Sequence, residues 1–236
     1  MELPSYKEIV THEAGNLINK AATTRNNGEI ETWDEYSEVM DIYEHYLDAV
    51  EEGNQEAVYK TISNLKEYTD EETPERSRKY IDWAIDCLEA GVEYKKMLDN
   101  EQTQEHVKLD EVLKPFTYDE DIEIDNEYGD EEIQGSKVLS LVSNTFIKNW
   151  FDHGKGRKEG KKLWVTVDDE EDYFNIDVHD NGPGMDEITD QVFEPENSRE
   201  SGLPSAKTIT ESLDGSISVY EPDTGGFGYN WRLKKK

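Results

Sequence analysis

The chain is poor in cysteine, in positive charge and in long apolar runs, and each shortage excludes something. The lone Cys87 rules out an intramolecular disulfide and a cysteine metal cluster. It falls in a helical pattern and reads as a packing residue. Lys and Arg total 25 against 56 Asp and Glu, a formal net charge of −31. No basic stripe is available to neutralise phosphates, so nucleic acid is disfavoured as a partner. No apolar run reaches the length of a membrane span, and no signal peptide is visible. The expectation is a cytoplasmic protein without a membrane span. No sequence repeat is present.

What is there argues for a folded chain. Only 34% of residues are hydrophobic, but they recur in periodic segments with 5 Trp and 13 Tyr, unlike an acidic disordered sequence. The acidity runs the whole length. A compact body with this charge repels itself at low ionic strength, and salt screens the repulsion. That favours a halophilic acidic protein in a salt-filled cytoplasm over an ordinary acidic cytosolic one.

The first half reads as helical. Over 3–25, Val10, Ala14, Leu17, Ile18 and Ala21 make one stripe. His12 lies two positions after Val10, roughly 200° round the helix, which points it away from the stripe. Asn26-Asn27-Gly28 stops this helix. Thr32-Trp33-Asp34-Glu35 resembles a capping box opening a second one, with Tyr36, Val39, Met40, Tyr43, Leu47 and Val50 on its apolar face. After Gly53-Asn54 a third helix runs to about Tyr68 through Val58, Ile62 and Leu65. Residues 70–74 are a connector. A fourth helix over about 75–100 carries Ile81, Ala84, Ile85, Leu88, Val92 and Leu98. Such stripes pack into a bundle.

Residues 101–106 read as a linker, after which the pattern changes. Val107–Leu113 is a short helix, Ile122 and Ile124 mark a strand, and 131–154 is a helix carrying Val138, Leu139, Val142 and Phe146. Leu163–Val167 and Phe174–Val178 form a hairpin. A helix closes at Thr208–Leu213 before Asp214-Gly215. Ile217–Val219 and Phe227–Leu233 are the last strands. The mixture predicts helices packed on one face of a mixed sheet.

Three short runs carry the chemistry. The first is Asp180-Asn181-Gly182-Pro183-Gly184-Met185, at the end of a strand in which Phe174, Ile176 and Val178 share a face. A carboxylate there can accept from an exocyclic amine such as that of adenine, and glycines let backbone approach a ligand. The same run also fits a surface turn. The second is His12-Glu13-Ala14-Gly15-Asn16, which also fits a solvated pair on a helix surface. The third is Asn144-Thr145-Phe146-Ile147-Lys148-Asn149-Trp150-Phe151-Asp152-His153, which also fits a polar helix face.

In this order the runs resemble the boxes of a sensor histidine kinase transmitter, over roughly 5–25, 75–124 and 131–233. The Asp180 run is similar to the Asp-x-Gly-x-Gly box of the ATPase fold shared by histidine kinases, gyrases, Hsp90 chaperones and MutL proteins. The resemblance implies an α+β chain. A helical dimerisation and phosphoacceptor domain would span 1–100, with a helical insertion at about 28–74. An ATP-binding α/β sandwich would span 107–236. It implies that His12 attacks the γ-phosphate, with Glu13 taking the imidazole proton or orienting the ring and Asn16 nearby. It assigns adenine to Asp180, the base pocket and lid to Gly182, Gly184 and Met185, and a magnesium ion to Asn149. Asp152 and His153 follow on the same wall. Gly202 and Leu203 would stand at the phosphate end, and Phe193 would hold the lid. The implied cofactors are ATP and Mg2+. The implied partners are a response-regulator receiver domain, a second copy of the chain in a homodimer pairing helices 1 and 4, and a separate sensor or input protein.

The chain also departs from the family. Leu17 replaces a proline, Thr145 an asparagine, and Trp150 a small alanine beside the nucleotide pocket. The second glycine box survives only as Gly202-Leu203, with Glu200 among the expected phosphate contacts. A carboxylate repels phosphate, which Arg199 and Lys207 would partly offset. The alternative reading is a non-catalytic histidine phosphotransfer or scaffold protein with a degenerate ATPase-like domain. A weaker third is a regulatory ATP-binding module with no role for His12. His45, His106 and His179 lack partners at metal-ligand spacing and carry no assigned chemistry.

Overall fold

The computed structural model describes residues 12–26, 29–32, 36–52, 54–69, 75–99, 106–154, 160, 162–184, 190–194, 202–223 and 225–236. The chain divides into two compact units, one ending at Val92 and the other running from Glu93 to Lys236.

The helical unit contains α1 (His12–Ala22), a hairpin of β1 (Thr23–Asn26) and β2 (Glu29–Thr32), then α2 (Tyr36–Glu51), α3 (Gln55–Lys66) and α4 (Glu75–Leu98). The stripe of α1 is as its spacing predicts, with Ala14, Leu17, Ile18 and Ala21 buried. The hairpin corrects the sequence reading, which ran the first helix to residue 25. Thr23 pairs with Thr32 and Asn26 with Glu29 in an antiparallel register. The residues between the strands are Asn27 and Gly28, a pair favoured in two-residue hairpin turns. On α2 the expected Val39 and Tyr43 are buried, joined by Tyr46 and Ala49, while Met40, Leu47 and Val50 are half-buried. Tyr46 Oη donates to the Leu88 carbonyl (3.2 Å), and Ser77 Oγ to that of Ala21 (2.8 Å), tying α4 to α2 and α1. The α3 helix starts at Asn54, whose side chain accepts from Ala57 N, a standard cap.

The homodimer expectation rested on apolar stripes left uncovered. Among the described residues, the stripes of α1 and α4 are buried within one chain, and Tyr59 is the large apolar side chain left exposed.

The second unit contains β3 (His106–Lys108), α5 (Leu109–Leu113), β4 (Ile122–Asp125), β5 (Glu132–Gln134), α6 (Ser140–Asn149), β6 (Leu163–Asp169), β7 (Tyr173–Asp180), α7 (Leu203–Ser212), β8 (Ser216–Tyr220) and β9 (Gly228–Lys234). Five strands form a mixed sheet in the order β4-β6-β7-β9-β8. The β4–β6 pair is parallel and the others antiparallel. The architecture is α+β, as expected.

Two segments differ from expectation. Residues 131–134 are not the start of a helix. Glu132–Gln134 pairs with His106–Lys108 instead, so residues 107 and 108, expected in a helix, are strand. The cause lies at Gly135, with φ +138°, a conformation that a helix excludes. Ser136 then caps the turn by accepting from Val138 N, and α6 begins only at Ser140. The expected connector at 70–74 lies outside the described residues. So does the linker at 101–106, except His106, which opens β3.

The core of this unit sits between one sheet face and the helices. Val165, Val167, Ile176, Val178, Ile217 and Trp231 from the strands meet Phe146, Ala206 and Ile209 from α6 and α7, all buried. Phe146 stacks on Tyr229 with ring centroids 4.2 Å apart and meets Trp231 edge-on at 5.6 Å. Ser143 Oγ donates to the Val112 carbonyl (2.7 Å), fastening α5 to α6.

Candidate functional site

The register of β7 decides where the carboxylate of Asp180 goes. Strand side chains alternate between faces. The face that buries Phe174, Ile176 and Val178 therefore also takes Asp180, the fourth member of the same alternation. Asp180 is 7% exposed, so this is no surface turn residue. A buried carboxylate needs donors. One is the Gly182 amide, which closes a turn onto Asp180 Oδ1.

Glycines make the room around it. Gly226 has φ +95°, and a Cβ there would stand 2.7 Å from Asp180 Oδ1 and fall on the Asp180 carbonyl. Gly184, with φ +67°, lies against Gly226: its Cβ would be 2.9 Å from the Gly226 carbonyl oxygen. Asp180 N donates to the Phe227 carbonyl (3.1 Å). The 180–184 turn and the loop before β9 are thus one packed assembly.

Asn149 ends α6, buried at 6% exposure. Its Nδ2 donates to Tyr229 Oη (3.3 Å). Its Oδ1 is buried and has no hydrogen-bond partner among the described residues. Tyr229 lies on β9 opposite Val178, two residues before Asp180. Its pKa is raised well above the usual tyrosine range by burial, against a lowering by the Asn149 hydrogen bond and with a lesser upward push from the charge of Asp180. The hydroxyl therefore keeps its proton.

The helix changes pitch after Asn149. Trp150–Gly154 is a π turn, a feature that often accompanies functional sites. The Trp150 ring is 2% exposed and packs on Phe151, so its bulk is absorbed by the interior. Asp152 and His153 are exposed. The Asp152 carboxylate pairs with Lys148 one turn back (3.3 Å). Asn149 is bonded to Tyr229, on the strand paired with the one that ends in Asp180, and Asp152 and His153 are left on the surface.

The α7 helix opens at Gly202, which has φ +69° and whose Cβ would be 3.2 Å from Thr145 Cγ2. The small Thr145 one turn before Asn149 is what lets the start of α7 approach α6. Leu203 is buried behind it. Phe193, also buried, lies beneath the Lys207 ammonium, 4.7 Å from ring centroid to nitrogen, a favourable cation–π contact.

A family profile described as histidine kinase-, DNA gyrase B-, and HSP90-like ATPase matches residues 135–236. Residues 135–236, less than half of the chain, are thus similar to this ATPase family. No curated protein sequence matches the chain. Solved structures with a similar fold include the catalytic domain of the histidine kinase ThkA, at 18% identity and TM-score 0.48, covering 55% of this chain and 95% of that one. The mycobacterial sensor histidine kinase MprB is similar at 20% identity and TM-score 0.47, covering 57% and 99%. The ATP-binding domain of PrrB from Mycobacterium tuberculosis is similar at 21% identity and TM-score 0.44, covering 56% and 96%.

Within the second unit, sequence reasoning missed Tyr229 and Gly226. Both stood in the segment read only as closing strands. The adjacent pair Gly225-Gly226 was the available signal, since paired glycines before a strand mark a close backbone approach. Met185, Arg199 and Glu200 lie outside the described residues. His12 and Glu13 lie in α1, but their side chains are outside the described set. Asn16 is exposed on the same helix. No helix among the described residues is long and apolar enough to cross a membrane.

Proposed function

We propose that the chain is a histidine kinase of a two-component system. Its 107–236 domain binds ATP and Mg2+, and its 1–100 domain carries the phosphoacceptor His12. The observation that carries this reading is the buried pair Asn149 and Asp180, one with an unpartnered acceptor oxygen. A buried acceptor without a partner costs about 1–3 kcal/mol. That cost is tolerated where a ligand supplies the partner. An amide oxygen suits a hard cation that keeps several waters and takes other ligands from phosphates. The donor set therefore fits magnesium, held by Asn149.

Asp180 accepts from the adenine amine, and Gly182, Gly184 and Met185 shape the base pocket. Gly202 and Leu203 open α7 at the phosphate end, where a helix start favours anions. Bound magnesium neutralises phosphate charge. In the transfer, a ring nitrogen of His12 forms the bond to the γ-phosphorus. The bond from that phosphorus to the ADP oxygen breaks, and Glu13 takes or orients the imidazole proton, with Asn16 beside it. The phosphoryl group then passes to an aspartate of a response-regulator receiver domain, and a separate sensor protein supplies input.

A second reading has one observation in its favour. Pro204 occupies the second position of α7 and donates no N–H, which thins the donors facing a triphosphate. With Glu200 nearby in sequence, that favours a non-catalytic phosphotransfer protein. Incubation with γ-labelled ATP and Mg2+ in high salt separates the two. The kinase reading predicts acid-labile label on the natural chain, lost in His12→Ala and in Asp180→Ala. A folded protein that takes no label from ATP, but takes it on His12 from a phosphorylated regulator, supports the second.

A further inference from the structure

Asn149 presents two chemically different ends. Either one could face a ligand, and only the oxygen can bind a cation. The described structure contains one group that breaks this symmetry. Tyr229 Oη lies 3.3 Å from Nδ2 and receives its proton, while Oδ1 is left without a partner. A phenol can also donate, and a donating phenol would draw the amide oxygen towards itself. In the structure the hydroxyl accepts instead, from the amide nitrogen at 3.3 Å. The hydroxyl then offers Asn149 a lone pair, which accepts only from the amide nitrogen.

We propose that Tyr229 is a positioning residue that fixes the orientation of the Asn149 amide and so presents Oδ1 to the magnesium ion. The inference rests on the functional reading above and names a new part of the same site. The ring of Tyr229 has a separate structural role, stacking on Phe146 at 4.2 Å and packing beside Phe227 at 5.0 Å. The hydroxyl is the part without a packing explanation, and removing it alone isolates the inference. Outer partners of metal ligands characteristically change metal affinity by about 10–100-fold.

The test is calorimetric titration of the full chain with ATP, in high salt, over a series of Mg2+ concentrations and in chelator. Tyr229→Phe keeps the ring, and its thermal unfolding is followed in parallel to establish that it folds. The expected result is an increase of about tenfold in the Mg2+ concentration that half-maximally enhances ATP binding, with a much smaller change in the affinity measured in chelator. In an Asn149→Ala background the same substitution has no further effect on the Mg2+ dependence, as coupled neighbours require. A Tyr229→Phe protein with unaltered Mg2+ dependence, beside a natural chain and an Asn149→Ala variant that differ, overturns the inference alone. Equal losses of affinity with and without Mg2+ also overturn it, because they mark a structural role only. A folded natural chain that binds no ATP at any Mg2+ concentration overturns the functional reading, and the inference with it.

Discussion

Gly226 lies directly against Asp180, with left-handed backbone at φ +95° and 2.7 Å between the position of a Cβ and the Asp180 Oδ1. An alanine there meets two penalties, a strained backbone and a clash with a backbone carbonyl that cannot rotate away. Gly226→Ala is expected to destabilise the ATPase domain by about 2–3 kcal/mol and to abolish ATP binding. Urea unfolding followed by tryptophan fluorescence, together with ATP titration, measures both. An unchanged midpoint with intact binding would contradict the packed arrangement of the two loops.

The indole of Trp231 is fully buried and donates through Nε1 to Thr210 Oγ1 at 3.1 Å. Thr210→Val keeps the shape and removes the acceptor, leaving a buried donor unsatisfied. A loss of about 1–3 kcal/mol is expected, visible as a fall of roughly 2–4 °C in Tm per kcal/mol. A neutral effect would mean that the bond contributes nothing beyond packing.

Tyr43 makes stability depend on alkaline pH. Burial pushes its phenol up to about 12, against a lowering by the Gly15 backbone hydrogen bond and with a lesser upward contribution from Cys87. The folded state therefore holds the proton more tightly than the unfolded chain, whose value is the ordinary 10.0. The stabilisation is complete below the unfolded value and is lost as pH rises through the folded one. Unfolding midpoints of the natural chain are expected to fall between about pH 10 and pH 12, and to fall less in Tyr43→Phe. Identical profiles for the two proteins would show that Tyr43 does not couple to folding.

A formal charge of −31 on a chain this size is self-repelling. Raising salt from about 0.1 M to 1 M shortens the Debye length from about 10 Å to about 3 Å. Tm is expected to rise by several degrees over that range, by scanning calorimetry. A flat or falling Tm would remove the electrostatic argument for a salt-adapted protein.

The parts of the fold legible in the sequence were those with a strong period. The stripe of α1 and the alternations of β7 and β9 each announce a buried face, and Asp180 inherits the face of Phe174, Ile176 and Val178. The elements missed lacked such a signal. Thr23–Asn26 and Glu29–Thr32 hold a single large apolar residue, Ile30, so only Asn27-Gly28 marked the hairpin. Glu132–Gln134 is three residues long and merges by composition with the helix after it. Its separation from that helix depends on the backbone of Gly135. The contact between Asn149 and Tyr229 spans 80 positions and joins a helix end to a strand. No local pattern encodes it, and the alternation of β9 explains Tyr229 fully as a core residue. Its hydroxyl is what the sequence pattern left unused.

The measurement closest to the central claim is ATP binding by calorimetry with Mg2+ in high salt, for the natural chain and for Asp180→Asn. The buried carboxylate reads the exocyclic amine by accepting its hydrogen bond, and an amide turned to donate cannot. Saturable binding of ATP by the natural chain is expected, with a loss of at least about tenfold in affinity, or roughly 1.4 kcal/mol, in a folded Asp180→Asn variant. Equal affinities for the two folded proteins, or no binding by the natural chain, would contradict an ATP site built on Asp180.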